Sequence, residues 1–381
     1  MDSVFHRVEL ALDMTTRLLD APPTSAVRSG LFLAAPRRTG KSTFLREDLV
    51  PALRNAGALV LYIDLWRDRD ADPGEVIVNE VAAALAAEKG ALRRAVSRVG
   101  DASLSVGSVS VSLGRRDSGS AKISTTAALA SLSEETGRVI ALIIDEAQHA
   151  ITTEAGTNAL FGLKAARDEL NSSAHHGLRV IATGSSRDKL AMLRASKDQA
   201  FFGAPLVAFP PLGKDYVRWF VEQQAFGDAL DIADVTRWFE RAGHRPEFLG
   251  AAAESVNFQF DVDEASVSAR LEEALEHEVA MADEAILELV RSLRPLQSAV
   301  LREMASKGRG YAPFEGQTMK RYAETIQRID ANSGIVPSTT NVQAALESLK
   351  QRGLVWRASR GIYALEDAPL AELMRAEGMI D

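Results

Sequence analysis

Five short runs of almost continuously apolar residues limit what this chain can fold into. Four are strong, the last is weaker, and glycine or charged residues bound them: Gly30–Ala35, Ala58–Leu65, Val139–Ile144, Leu178–Ala182 and Leu206–Phe209. Apolar and polar residues do not alternate within a run, which is typical of strands buried on both faces in a parallel sheet. Stretches of helical character separate several of the runs, for example Ser42–Asn55, Gly74–Ala87 and Asn158–Asn171. Strands that alternate with helices predict an α/β layered domain.

Composition excludes several other classes of protein. The 381 residues are 46% apolar and 25% charged, which is ordinary for a globular chain with two or three domains. Cysteine is absent, so disulfides, thiolate metal sites and cysteine nucleophiles are excluded. Residues Met1–Ala11 lack the pattern of a signal peptide, and no uncharged apolar stretch is long enough to cross a bilayer. We therefore expect a cytoplasmic protein without a membrane partner.

The segment Asp101–Thr125 differs from its surroundings because it is rich in serine and glycine. Val109 and Val111 alternate with serines, and Leu104 and Val106 do so in the opposite phase. This pattern predicts a β-hairpin inserted before the third strand of the sheet. Its simpler interpretation is a decoration at the edge of the domain.

The first apolar run leads into a sequence typical of a phosphate-binding loop. Its residues are Ala35, Pro36, Arg37, Arg38, Thr39, Gly40, Lys41, Ser42 and Thr43. Between a strand and a helix, the backbone N–H groups of such a loop face phosphate oxygens, and the helix dipole favours the anion. Gly40 permits close approach, Lys41 can reach the β- and γ-phosphates, and Ser42 can bind Mg²⁺. Arg37 and Arg38 could also contact phosphate. Ala35 stands where glycine is commoner, and an exposed turn before a capped helix is the structural alternative.

Two carboxylates, Asp145 and Glu146, follow the third apolar run. The carboxyl end of a buried parallel strand is where α/β proteins bind ligands. We expect Asp145 to hold Mg²⁺ through water and Glu146 to orient or deprotonate the attacking water. Together with the loop, the pair predicts nucleotide hydrolysis rather than binding alone. Thr183 directly follows the fourth run, where its hydroxyl could contact the γ-phosphate or the lytic water; the alternative is that this small polar residue only belongs to a turn.

Several arginines beyond the fourth run are candidates for phosphate contacts. Arg187 and Arg194 are either a solvated helix face or arginine fingers acting in trans in a homo-oligomer.

The element Gly243–Pro246 ends one helix and begins another, since glycine suits a C-cap and proline a first helical turn. That is a sufficient structural explanation. Functionally, this hinge could bring Arg245 or His244 over a nucleotide.

Four motifs in this order and spacing, APRRTGKST, LIIDEAQ, IATGSS and GHRP, resemble STAND-class P-loop ATPases. The likeness is strongest to their archaeal and bacterial ATPase group, which is kin to the origin-recognition branch of the AAA+ proteins. It covers Leu31–Val256 and implies a five-stranded parallel core, a helical lid and a C-terminal winged helix. It favours ATP over GTP, assigns Thr183 to a sensor position, and matches the element Gly243–Pro246 to the glycine–proline motif of the lid. His244 replaces a glycine that the motif usually has.

The C-terminal part resembles a winged helix, because the helix Asn341–Arg352 is followed by a glycine and a short hairpin with a basic turn. Between Arg302 and Arg360 there are ten basic and five acidic residues, whereas the whole chain carries a net charge of −8. Candidate contacts to double-stranded DNA are Asn341, Gln343, Lys350, Arg357 and Arg360. Winged helices also bind proteins or pack against their own core, so this alternative stays open.

We therefore predict three domains: an ATPase core over 1–211 with a hairpin at about 101–125, a helical lid and linker over 212–290, and a winged helix over 291–381. The leading hypothesis is an ATP- and Mg²⁺-dependent molecular switch with slow turnover that acts on or with DNA. The alternative is a nucleotide-regulated scaffold, in a mobile-element or defence system, whose winged helix binds a protein partner.

Overall fold

The computed structural model describes residues 4–68, 70–88, 104–106, 109–111, 121–122, 124–172, 175–194, 199–258, 264–359, 361–367 and 369–381. The chain divides into two compact units. The core unit consists of His6–Pro36 and Lys41–Phe209. The C-terminal unit consists of Met1–Phe5, Arg37–Gly40 and Pro210–Asp381.

The described strands of the core unit are β1 (Leu31–Ala34), β2 (Leu59–Asp64), β3 (Leu104–Val106), β4 (Val109–Val111), β5 (Ala121–Lys122), β6 (Ile140–Asp145), β7 (Leu178–Gly184) and β8 (Leu206–Ala208). Five of them form a parallel sheet in the order β2-β6-β7-β1-β8. These five are the strands that the apolar runs predict, so the α/β fold with a five-stranded parallel sheet is confirmed.

The helices of the core unit are α1 (Val8–Leu19), α2 (Lys41–Phe44), α3 (Val50–Asn55), α4 (Pro73–Ala87), α5 (Thr125–Thr136), α6 (Glu154–Ser172) and α7 (Arg187–Ala191). A π-helical turn, Leu45–Leu49, makes α2 and α3 continuous. Short 3₁₀ helices span Ala26–Ser29 and Ala147–Thr152.

The central strands are mainly apolar, with a few buried polar side chains, because helices cover both faces of the sheet. Every residue of β6 and β7 is buried. Leu142 of β6 belongs to an apolar cluster with Val81 of α4 and Leu163 of α6. Ile143, its neighbour along the strand, belongs to a second cluster that includes Leu53 of α3. Since successive side chains of a strand point to opposite faces, both faces of the sheet are mainly apolar.

A smaller sheet lies in the segment between α4 and α5. Strand β3 pairs antiparallel with β4, with Val106 opposite Val109, and parallel with β5. This antiparallel pairing agrees with the opposite phases of the two serine-interrupted runs. Most other residues of 101–125 lie outside the described part of the chain.

Two glycines allow close backbone contacts at the start of α6, one with the start of α4 and one with the 3₁₀ helix Ala147–Thr152. A Cβ atom on Gly74 would lie 2.3 Å from the carbonyl carbon of Ala155. A Cβ atom on Gly156 would lie 2.1 Å from the carbonyl oxygen of Ala150. No larger residue fits either position without moving a backbone segment.

The C-terminal unit contains α8 (Lys214–Glu222), α9 (Ile232–Arg241), α10 (Pro246–Asn257), α11 (Glu264–Arg291), α12 (Pro295–Lys307), α13 (Gly316–Ile329), α14 (Thr339–Gln351), β9 (Val355–Ser359), β10 (Ile362–Leu365) and α15 (Pro369–Ala376). Its apolar residues form two clusters, one around Phe239 and one around Leu346. Strands β9 and β10 pair antiparallel after the three helices α12–α14. Within the described residues, no helix combines the length and the apolar character needed to cross a membrane.

Candidate functional site

The carboxyl ends of adjacent parallel strands bring the predicted acidic and basic residues together. Asp145 is the last residue of β6, Glu146 follows it, and Thr183 lies near the end of the neighbouring β7. Lys41 begins α2, which follows β1 on the other side of β7. The structure therefore collects these four residues, which lie far apart in the sequence, at one edge of the sheet.

The ammonium of Lys41 is the centre of this arrangement. Its Nζ atom lies 2.6 Å from Asp145 Oδ1, 3.3 Å from Glu146 Oε1 and 3.3 Å from Thr183 Oγ1. Lys41 is 5% exposed and Asp145 is 1% exposed. Burial of an ammonium this deep requires anionic partners. Here two carboxylates provide the compensating negative charge.

Further donors fix the carboxylate of Asp145. The hydroxyl of Thr183 donates to Oδ1, and the backbone N–H of Glu146 donates to the same atom at 3.1 Å. The hydroxyl of Tyr62 donates to Oδ2 at 3.0 Å. Sequence reasoning missed Tyr62, because a tyrosine within an apolar strand is usually a core residue. The signal that could have found it is its hydroxyl, which needs a partner when buried.

The electrostatics of the site depend on Asp145 staying ionised. Burial alone would raise the pKa of Asp145. The charge of Lys41, with hydrogen bonds from Lys41, Ser42 and Thr183, outweighs burial and lowers the pKa from 3.8 to about 2. Burial, together with the negative charge of Asp145, raises the pKa of Tyr62, so that side chain remains a hydrogen-bond donor at neutral pH.

Glu146 has an unusual backbone conformation for a residue with a side chain. Its φ is 53°, in the left-handed region, directly before the 3₁₀ helix Ala147–Thr152. Gln148 Nε2 donates to Glu146 Oε2 at 2.5 Å, and Ser185 Oγ donates to the same oxygen at 3.3 Å. Neither Gln148 nor Ser185 was among the predicted site residues, although both lie in the two motifs that predict the site.

The two arginines of the predicted phosphate-binding loop pair with carboxylates of the C-terminal unit, to which the loop residues Arg37–Gly40 belong. Arg37 Nη2 lies 2.5 Å from Glu366 Oε1, just after β10. Arg38, with φ of 60°, lies 3.5 Å from Glu247 Oε1. Both guanidinium groups are therefore held by long-range ion pairs.

The other loop residues differ in exposure. Ala35 and Thr39 are buried, whereas Pro36 and Thr43 are exposed. Gly40 has φ of 80°, a conformation that favours glycine and explains this residue in the loop.

The residues of the predicted lid motif have partners within the C-terminal unit. Arg245 Nε donates to Glu247 Oε1 at 2.9 Å, and its guanidinium lies 4.0 Å from the ring centroid of Phe248. His244 has φ of 55°, and its Nδ1 lies 2.8 Å from the carbonyl oxygen of Leu212. The expected contact of Arg245 with a nucleotide stays a prediction. Of the proposed arginine fingers, Arg187 is exposed at the start of α7 and Arg194 is half-buried after its end.

Several of the predicted DNA contacts have partners inside the C-terminal unit. Asn341 caps its own helix, because its Oδ1 accepts from the N–H of Ser338 at 2.7 Å. Gln343 Nε2 donates to the hydroxyl of Tyr363 at 3.1 Å. Lys350 lies 3.8 Å from a carboxylate one turn away, and Arg357 lies 5.8 Å from the ring centroid of Tyr363. Arg360 lies outside the described residues.

Comparison with known proteins shows the fold. No protein-family model matches the chain, and no curated protein sequence matches it. Among solved structures, the ORC2 protein of Aeropyrum pernix in its ADP form is 14% identical, with 99% of this chain and 97% of that chain covered and a TM-score of 0.54. A Walker-type ATPase of Pyrococcus abyssi is 20% identical over 96% of this chain and 95% of its own, with a TM-score of 0.49. The chain therefore shares its fold with the ORC2 protein of Aeropyrum pernix.

Proposed function

We propose that this chain is an ATPase of the AAA+/STAND type, which binds ATP with Mg²⁺ and hydrolyses it slowly as a molecular switch. The observation that carries the proposal is the convergence of Lys41, Asp145, Glu146 and Thr183 at one edge of the sheet. A buried ammonium beside two acceptors is suited to exchange one anion for another. Phosphate oxygens of ATP would replace the carboxylates as the partners of Lys41.

The residues present fit a magnesium ion. Carboxylate and hydroxyl oxygens are the donors that Mg²⁺ prefers, and the side chain of Ser42 hydrogen-bonds to Asp145. In the described part of the chain, no three His, Asp or Glu side chains form a metal-binding group. That agrees with a cation whose other ligands are phosphates and water, as is usual for Mg²⁺. Bound Mg²⁺ would neutralise part of the phosphate charge.

Glu146 is the proposed general base. Its carboxylate is 14% exposed at the strand end and accepts hydrogen bonds on both oxygens. It would take a proton from water as that water attacks the γ-phosphate. Thr183 would act as the sensor residue that contacts the γ-phosphate.

Two substitutions separate binding from hydrolysis. We expect Lys41→Ala to weaken ATP binding at least about a hundredfold by calorimetry, because the main cationic partner of the phosphates is lost. We expect Glu146→Gln to keep binding and to stop phosphate release. Lys214→Ala, at an exposed lysine of the C-terminal unit, is the matched control. Unchanged binding in Lys41→Ala would contradict the proposal.

For the C-terminal part we propose a winged-helix domain over 291–381, following a lid and linker over 212–290, that acts with double-stranded DNA. The succession of three helices and an antiparallel hairpin supports this domain, as does the local excess of basic residues. We would measure the anisotropy of a short labelled duplex with ATP, with ADP and without nucleotide over a salt series. Neutralising Arg357 with glutamine should weaken binding and reduce its salt dependence.

A second candidate is a nucleotide-regulated scaffold whose winged helix binds a protein. Asn341 and Gln343 favour it, because their side chains already have intramolecular partners and direct base contacts would require breaking these. Absence of duplex binding in every nucleotide state, with ATP hydrolysis intact, would support the scaffold. Assembly into a homo-oligomer, with Arg187 or Arg194 acting in trans, would increase the sedimentation coefficient when ATP is added.

A further inference from the structure

The two carboxylate oxygens of Glu146 have different kinds of partner. Oε1 accepts from the ammonium of Lys41 at 3.3 Å. Oε2 accepts from Gln148 Nε2 at 2.5 Å and from Ser185 Oγ at 3.3 Å. Gln148 and Ser185 follow the adjacent strands β6 and β7, so two neighbouring strand ends hold one oxygen and leave the other to Lys41.

Gln148 is fixed in an orientation that serves only this contact. The residue is fully buried, and its Oε1 atom has no hydrogen-bond partner. A buried oxygen without a hydrogen-bond donor costs free energy. The position of this amide therefore satisfies its NH₂ group and leaves its oxygen unsatisfied. Turning the amide over would direct its oxygen at a carboxylate oxygen, which is repulsive. The orientation with Nε2 towards Glu146 is therefore the one that the carboxylate selects.

Gly184 provides the space in which this amide lies. A Cβ atom at position 184 would stand 2.2 Å from Gln148 Oε1 and 3.0 Å from a side-chain carbon of Leu190. Any side chain at this position would displace the amide of Gln148. The strand end that carries Thr183 and Ser185 thus also sets the position of Gln148.

We propose that Gln148 and Ser185 are positioning residues that hold Glu146 by Oε2, so that Oε1 is the atom that receives the proton in catalysis. This inference rests on the proposed ATPase function. When Lys41 turns to the phosphates, Oε1 loses its donor, whereas Oε2 keeps both of its donors. Oε1 is then the free acceptor, and the carboxylate cannot rotate without breaking two hydrogen bonds.

The reaction that this arrangement serves is hydrolysis of the terminal phosphate. The oxygen of the attacking water forms a bond to the γ-phosphorus, and the bond from this phosphorus to the β–γ bridging oxygen breaks. ADP leaves with the electron pair of that bond. The proton lost by the water goes to Glu146 Oε1, and the products are ADP and inorganic phosphate.

The primary test is Gln148→Met, which keeps the volume of the side chain and removes its donor. We expect the Kd and KM for ATP to stay within about twofold, while kcat falls at least about tenfold because the base is no longer fixed. In a Glu146→Gln background the same substitution should cause no further loss of rate, since the two residues act as a unit.

Gly184→Ala tests the same arrangement without altering any donor. We expect a fall in kcat of similar size, and no additional fall when it is combined with Gln148→Met. Gly162→Ala is the matched glycine control in the core unit, because a Cβ there meets Thr125 only at 3.6 Å. Its kcat should equal that of the unaltered protein.

The outcomes distinguish this inference from the function on which it rests. Unaltered protein that binds ATP without releasing phosphate would overturn the proposed hydrolysis. Unaltered protein that turns over, with normal kcat in Gln148→Met and in Gly184→Ala, would overturn the positioning role alone. If Gln148→Met fails to fold, Ser185→Ala removes the weaker donor and should lower kcat severalfold at constant KM; unchanged kcat would count against the proposal.

Discussion

Lys41 Nζ lies 2.6 Å from Asp145 Oδ1, and this ion pair is almost completely shielded from solvent. It joins the residue that begins α2 to the residue that ends β6, 104 positions further along the chain. Removing one member of such a pair is costly, because the other charge stays buried without compensation. The pair is therefore part of the stability of the core unit, in addition to its proposed part in binding phosphate.

Substitution of Lys41 by methionine should destabilise the core unit by about 3 kcal/mol, since Asp145 loses its cation. Adding Asp145→Asn should recover most of this loss, because the uncompensated carboxylate is then gone. Urea denaturation without nucleotide would measure both effects. If the loss in the double variant equals the sum of the losses in Lys41→Met and Asp145→Asn, the two residues are not coupled.

Stability should also depend on pH through Asp145. Its pKa is lowered from 3.8 to about 2 in the folded chain, so its contribution is complete above pH 4 and is lost as the pH falls through 2. The difference corresponds to about 2 kcal/mol. Between pH 5 and pH 2, the free energy of unfolding of the unaltered protein should fall by about 2 kcal/mol more than that of Asp145→Asn. Urea denaturation at each pH would measure both. Parallel pH profiles of the two proteins would contradict the lowered pKa.

Gly74→Ala should destabilise the protein by about 3 kcal/mol, because the new methyl group would meet the backbone of Ala155 at 2.3 Å. Gly250→Ala is the matched control. A Cβ at position 250, inside α10, has no neighbour within 4 Å, so alanine should stabilise that helix by about 0.5–1 kcal/mol. Thermal unfolding of both variants would show shifts of opposite sign.

Glu366→Gln should raise the affinity for ATP about three- to tenfold. Arg37, which we expect to contact phosphate, pairs with Glu366 at 2.5 Å, so this carboxylate competes with ATP for the guanidinium. The gain should vanish in an Arg37→Gln background, which calorimetric titration of the two single variants and the double variant would test. A gain that persists without Arg37 would mean that Glu366 acts by another route.

The parts of the site that could be predicted follow from local rules. A buried strand, a glycine-containing loop and a lysine at a helix start place Lys41 at the carboxyl end of the sheet. Because the strands are parallel, Asp145 and Thr183 must share an edge with the loop. Each of these steps needs only the apolar runs and the order of the motifs.

The parts that could not be predicted depend on register and on long-range packing. Tyr62 reaches Asp145 because β2 pairs with β6 in a register that puts Tyr62 beside Ile143. Gln148 reaches Glu146 because Glu146 adopts a left-handed backbone, which no local feature of a glutamate requires. The pairing of Arg37 with Glu366 spans 329 positions, beyond the reach of any sequence pattern.

The strand order β2-β6-β7-β1-β8 has a consequence for how this chain acquires its site. Of the four pairs of adjacent strands in this sheet, only β6 and β7 follow each other in the sequence, and the edge that carries Lys41, Asp145 and Thr183 exists only after β7 has paired with both β6 and the distant β1. Folding of such a topology is slowed by loop closure. The ability to bind a ligand at this edge should therefore appear in one late step, together with the complete sheet, and a bound ligand would slow unfolding of the sheet as a whole.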